Sequence, residues 1–166
     1  MNNLLNYNVL IYDYSGYGKS APNVKPTHAQ LRADMECVME YAFKMRESSK
    51  CSEIILYGHS IGGAVAVDYL SRHKNTFNNN NNNNNNPKQI SMLILENTIF
   101  SLRAAAEAVL PQRVSPFVPF LIPNVWDNHS LIKGLTLPTL FIVGLQDELV
   151  PSQQSRSLFE NIGLEI

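Results

Sequence analysis

The 166 residues suffice for one domain with a sizeable core, and 45% of them are apolar against 16% charged. A formal charge of −1, with no basic run and no basic-aromatic interleaving, excludes a nucleic-acid partner on electrostatic grounds. Cys37 and Cys51 are too few for a disulfide framework and read as ordinary thiols in a reducing compartment, although the sequence leaves a single bridge between them open. No stretch of about 20 apolar residues is present to span a bilayer, and the start lacks the basic and apolar regions of a signal peptide.

The first apolar run, Asn8 to Asp13, is rich in β-branched and aromatic residues and predicts a strand. It begins so early that the chain is expected to start inside its domain, with any anchor or address upstream. A turn-rich loop follows at Ser15-Gly16-Tyr17-Gly18. From Pro26 to Glu47, Leu31, Met35, Val38, Met39, Ala42 and Met45 fall at helical spacing, with Thr27 and Gln30 as a capping box. Residues 53–57 predict a second strand and 61–72 a helix that is small on one side (Gly62, Gly63, Ala64, Ala66).

Nine consecutive asparagines, Asn78 to Asn86, predict a disordered surface insertion. Residues 91–95 and 139–144 predict two more strands, and 151–162 a terminal helix. Between them, 97–138 starts helically (Leu102, Ala105, Ala106, Val109) and then turns proline-dense at Pro111, Pro116, Pro119 and Pro123. Those prolines exclude a long regular helix. The segment reads as a connection packed on the sheet, or as a lid forming one wall of an apolar pocket. Strands alternating with helices predict a mainly parallel α/β sheet with helices on both faces.

The strongest chemical signal is Tyr57-Gly58-His59-Ser60-Ile61-Gly62-Gly63, a Gly-x-Ser-x-Gly pattern between a buried strand and a small-residue helix. A turn this sharp raises the serine hydroxyl at the strand end, and the neighbouring backbone is expected to exclude side chains at Gly58 and Gly62. The helix N-terminus favours an anionic intermediate, with the Ile61 amide as one oxyanion donor. Past the strand at 139–144, Asp147 is the candidate acid and Glu148 its competitor; the order Ser60 then Asp147 fits a Ser-Asp-His triad.

No histidine follows Asp147. His59 lies inside the elbow and is expected to point away from the Ser60 hydroxyl. His28 and His73 lie at helix ends and are expected to face solvent, and His129 is the outside candidate for the base. A histidine beyond residue 166 explains the gap better, so these 166 residues alone are expected to be inactive.

The segments Tyr12-Asp13-Tyr14-Ser15-Gly16-Tyr17-Gly18-Lys19-Ser20, Tyr57-Gly58-His59-Ser60-Ile61-Gly62-Gly63-Ala64-Val65-Ala66, Leu95-Glu96-Asn97-Thr98-Ile99-Phe100-Ser101 and Gly144-Leu145-Gln146-Asp147-Glu148-Leu149-Val150-Pro151 resemble the alpha/beta-hydrolase domain-containing serine hydrolases, in the fungal bud-emergence branch with its animal relatives. The resemblance implies a hydrolase of acyl esters or thioesters and extends to protein depalmitoylation, since the Asp13–Gly18 loop is similar to that of animal depalmitoylases. It also implies an intracellular protein, membrane-anchored through an upstream segment, acting on acyl ester or thioester substrates that include lipidated proteins. No metal or organic cofactor is implied. Against the family pattern, 1–166 is a partial domain, incomplete at both ends: a His-Gly loop before the first strand and the last strand with its histidine are lacking. Two other readings stay open, a non-catalytic or truncated binding module and a serine aminopeptidase-like peptidase.

Overall fold

A computed structural model describes residues 7–48, 51, 53–74, 90–111, 113 and 117–162. The asparagine tract at 78–86 lies outside the described residues. In chain order the elements are α1 (His28–Ser48), β1 (Ile55–His59), α2 (Ile61–Arg72), β2 (Met92–Glu96), α3 (Leu102–Val109), α4 (Val118–Leu121), α5 (Asn128–Ile132), β3 (Thr139–Ile142) and α6 (Ser152–Asn161). The three strands form a parallel sheet in the order β1-β2-β3, in registers that run from Ile55 opposite Met92 and from Leu93 opposite Thr139.

Strand pleat sets the layers. Leu93 and Leu95 of β2 are 0% and 1% exposed, and their side of the sheet, with Leu56 and Phe141, meets the core. In α1 the buried residues Leu31, Met35, Met39 and Phe43 recur every four positions, which makes one stripe along the helix. Burying each such side chain contributes roughly 1.5–3 kcal/mol. Helix α2 is buried from Gly63 to Leu70, packed on β1 and flanked by α1 and α5, which explains its run of small residues. Within that buried run Asp68 accepts from Arg32 Nε of α1 and Arg72 Nε, each at 2.9 Å. Burial alone would raise the Asp68 pKa, but the two guanidiniums outweigh it and hold the carboxyl below its ordinary range.

Three sequence expectations change. Residues 8–13 do not join the sheet: Val9 and Ile11 are 78% and 85% exposed, and the segment makes no ladder with a described strand. A strand exists only through a partner, and high β propensity does not supply one. Tyr12 instead anchors the segment, donating to Met35 Sδ at 3.4 Å and packing edge-on against Tyr14. Secondly, the described helices cover one face only. Ile55, Tyr57, Leu140 and Ile142 line the other face and are 37–55% exposed, although their apolar character suits a second covering layer. Thirdly, the capping box is half formed. Thr27 Oγ1 accepts from Gln30 N at 3.2 Å, but the Gln30 side chain turns to Asp34 at 3.0 Å. Asp34 also accepts from Ser15 N and Ser15 Oγ, at 2.7 and 2.8 Å, which ties the 13–20 loop to α1.

Among the described residues of the proline-dense segment is the short helix Val118–Leu121, with Pro119 in its first turn, where a missing N–H costs nothing. Arg103 braces it by donating to Ile122 O at 2.9 Å and Pro119 O at 3.0 Å. Cys37 and Cys51 are not joined in a disulfide, and Asn8 Nδ2 donates to Cys51 Sγ at 3.1 Å.

Candidate functional site

Parallel strands bring their C-terminal ends to one edge of the sheet, and loops leaving that edge are where α/β proteins assemble sites. Ser60 follows β1, Asn97 follows β2 and Gly144 lies just beyond β3. Ser60 has φ 52° and ψ −118°, a conformation that L side chains rarely adopt. It is held there by main-chain bonds: Ser60 N donates to Glu96 O at 2.9 Å, and Gly63 N donates to Ser60 O at 3.2 Å. Ile61 opens α2, so its amide belongs to the first-turn N–H groups that a helix leaves without an internal partner.

Steric exclusion shapes this turn at two glycines. A Cβ on Gly58 would lie 2.6 Å from Gly63 N and 2.7 Å from Gly62 C. A Cβ on Gly63 would overlap Thr98 Oγ1 and lie 2.7 Å from Thr98 Cγ2. Gly62, by contrast, has room: an added Cβ would meet only Tyr14 Oη, at 3.8 Å. The sequence expectation that Gly62 is sterically required is therefore corrected to Gly63, because α2 turns its third residue, not its second, onto the β2 end.

The acid loop is built from hydrogen bonds. Asp147 Oδ1 accepts from Leu149 N and Val150 N, both at 2.8 Å, and Asp147 Oδ2 accepts from Asn97 Nδ2 at 2.7 Å. The Val150 and Leu149 amides hold its carboxyl below the ordinary range, with His59 charge and the Asn97 amide adding to the effect. Glu148 is exposed beside it. Asn97, Gly144, Leu145, Gln146 and Asp147 line a shallow hollow at this edge. Asn97 was not among the residues singled out from sequence as site residues. Its signal is an asparagine directly after an apolar strand, a residue type that tolerates the left-handed region and it takes φ 43° here.

The histidines are placed as follows. His59 is exposed at the end of β1. His28 is half-buried edge-on against Trp126 at 5.0 Å, and burial, then Arg32, lowers its pKa; the expectation that it faces solvent is overturned. His73, also expected in solvent, stacks on Tyr69 at 4.4 Å with its Nδ1 2.8 Å from Tyr69 O and its Nε2 3.3 Å from Glu36. Each end of a helix lies against a neighbour here, which position in the helix alone does not reveal. His129 stacks on Phe100 at 4.7 Å, with Nδ1 buried. Among the described residues no three His, Cys, Asp or Glu side chains gather as metal ligands, and no helix is long and apolar enough to cross a membrane.

A family model described as serine aminopeptidase, S33 matches residues 3–134. Protein bem46 of Schizosaccharomyces pombe is 36% identical over 93% of this chain and 46% of its own length. The uncharacterized membrane protein YNL320W of Saccharomyces cerevisiae is 30% identical, covering 92% of this chain and 48% of its own. Human alpha/beta hydrolase domain-containing protein 17B is 29% identical, covering 94% and 46%. The chain thus spans about half the length of the curated relatives it matches. With an elbow serine after the first strand of a parallel sheet and a matching model over most of its length, the chain belongs to the S33 family of alpha/beta hydrolases.

Proposed function

We propose that the full-length protein is a serine hydrolase that cleaves acyl esters or thioesters, including fatty-acyl thioesters on proteins. The observation that carries this reading is the strained Ser60 backbone, φ 52° and ψ −118°, between Gly58 and the α2 N-terminus. Strain of this kind costs on the order of 1–3 kcal/mol and persists where surrounding structure enforces it. In this reading the Ser60 hydroxyl attacks the acyl carbon while a histidine takes its proton, and the oxyanion rests on the Ile61 amide and a second donor. The histidine then protonates the leaving alcohol or thiol, and water repeats the sequence to release the acid. Asp147 stabilises the imidazolium. The histidine and the second donor come from parts of the full-length protein outside these 166 residues.

The apolar exposed side chains Phe117, Phe120 and Leu121, in the stretch of the 97–138 segment that we assign as a lid, favour a lipid-like acyl chain over a peptide. The yeast relative's designation as a membrane protein supports membrane association of the full-length protein. The family description favours a second reading, an aminopeptidase with the same nucleophile. The test is fluorophosphonate labelling of the full-length protein, with labelling expected for the wild type and abolished in Ser60→Ala. Persistent labelling of Ser60→Ala would remove Ser60 from the role. A folded wild type that does not label would make the protein a non-catalytic binding module. Comparing release from a fatty-acyl thioester peptide with release from an aminoacyl amide decides between the substrates.

A further inference from the structure

We infer that Asn97 is a positioning residue for Asp147, its carboxamide holding the acid loop in register with the nucleophile turn. The inference rests on the hydrolase reading for its consequence, but its geometry stands alone. Asn97 Nδ2 donates to Asp147 Oδ2 at 2.7 Å, while Asn97 Oδ1 accepts from Gly144 N at 2.7 Å. One side chain therefore clasps the loop at both ends. Its own N–H donates to Ile142 O at 3.0 Å, which fixes it to the end of β3. The preceding residue, Glu96, accepts from Ser60 N at 2.9 Å. Two consecutive residues at the end of β2 thus hold both loops, the nucleophile turn by main chain and the acid loop by side chain.

Few residue types meet these demands together. The group facing Gly144 N must accept, and the group facing a carboxylate must donate, so the carboxamide orientation is dictated by its partners. Aspartate would set a second carboxylate against Asp147, and serine or alanine would not span the two. The backbone at φ 43° adds a third demand that glycine or asparagine meets most readily. With Oδ1 of Asp147 occupied by Leu149 and Val150, Asn97 fixes the plane of the carboxylate through the other oxygen. An acid so fixed aims its remaining lone pair in one direction, and a misaim of about 1 Å in such a site costs roughly 100-fold in rate.

The substitutions separate this role from a turn-forming one. Asn97→Gly keeps the backbone conformation and removes the carboxamide. Asn97→Asp keeps the conformation and the acceptor for Gly144 N, and replaces only the donor. In full-length protein hydrolysing p-nitrophenyl butyrate, both should lower kcat by about 10- to 100-fold with KM little changed. Both should keep the wild-type melting temperature closely enough to be folded at the assay temperature. Wild-type kcat in either folded variant would overturn the inference and leave Asn97 a turn residue. A wild type that neither labels nor hydrolyses would end the hydrolase reading instead. The inference is then read from the Asp147 carboxyl titration by carbon NMR. A midpoint raised in Asn97→Gly, which removes the donor without adding a charge, supports it, and an unmoved midpoint overturns it.

Discussion

The turn at Gly58–Gly63 and the loop at Gly144–Val150 leave the same edge of the sheet, yet they are held by opposite means. The turn is held by lack of space: Cβ atoms at Gly58 or Gly63 would strike backbone or a fully buried Thr98. The acid loop is largely exposed up to the buried Val150, and three donors converge on one carboxylate to hold it. Packing is insensitive to pH and unforgiving of a single methyl group. Hydrogen bonds to a carboxylate tolerate changes in volume but depend on its charge. Under the proposed function, a serine that stays strained needs the first kind of support, and an acid that stays ionised gains from the second.

The sharpest way to break this comparison is to overfill the turn. Gly63→Ala should destabilise by about 3 kcal/mol, near the top of the range for overpacking a close-packed site. Thr98→Ala removes the two closest atoms, including an Oγ1 that is buried without a hydrogen-bond partner among the described residues, and leaves only Thr98 Cβ at 2.9 Å. On its own it should cost on the order of 1 kcal/mol. Combined with Gly63→Ala it should recover about 1–2 kcal/mol relative to the sum of the two. Gly58→Ala should gain nothing from Thr98→Ala, because its Cβ meets main chain. Urea denaturation of the wild type and these five variants measures this, and strict additivity of Gly63→Ala with Thr98→Ala would sink the steric account.

A buried carboxylate sharpens the other half. Asp68 is 1% exposed where Asp147 is not, and it is also held by donors. Asp68→Ala strands the Arg32 guanidinium and leaves Arg72 only its Glu36 pair, but the Arg32 and Arg72 side chains are 40% and 32% exposed and regain water. The loss should be about 2–3 kcal/mol, below the range for a fully buried pair. Because its folded pKa is depressed below the ordinary 3.8, this stability is present above that value and is lost as pH falls through the folded one. A stability change under about 0.5 kcal/mol would place Asp68 with ordinary surface pairs.

The two loops were unequally legible in the sequence for the same physical reason. Steric demands are local: Gly-x-Ser-x-Gly after an apolar strand encodes the turn within seven residues, and the structure puts Ser60 there in a strained conformation. Helix α2 was read from its residues to its observed ends, and the three paired strands to within about two residues. What failed depended on distant partners. Residues 8–13 have strand composition but no paired neighbour among the described residues. Asn97 is 50 residues from Asp147, and nothing in either local pattern names the other. The choice between Gly62 and Gly63 turned on where Thr98 lies, 35 residues on from Gly63.

Gly62 supplies the next smaller effect. With only Tyr14 Oη at 3.8 Å from an added Cβ, Gly62→Ala should be neutral or stabilise by up to about 1 kcal/mol, as alanine does in a helix. Thermal melts beside Gly63→Ala measure the contrast between adjacent glycines. Equal destabilisation by the two would mean that the whole Gly62-Gly63 pair is closed to side chains and that helix rotation does not select between them.

The smallest expected effect is local and tests the polar half directly. Asp147 is held below its ordinary 3.8 first by the Val150 and Leu149 amides, so its contribution is complete above that value. As pH falls through the folded pKa, protonation weakens the acceptor at Oδ1 and Oδ2, and the loop loosens. The turn has no such dependence, since Ser60 N and Gly63 N donate to the main-chain carbonyls of Glu96 and Ser60, which do not titrate in this range. Hydrogen exchange from neutral pH downward, expressed as protection relative to an unstructured chain, should therefore show Leu149 and Val150 losing protection first. Ser60 and Gly63 should keep theirs until the whole domain unfolds. Simultaneous loss at all four amides would show that one cooperative unit carries both loops, and that the division between steric and polar support has no energetic consequence. Loss at Leu149 and Val150 alone would show that the acid loop opens as a separate unit, governed by the charge of one side chain.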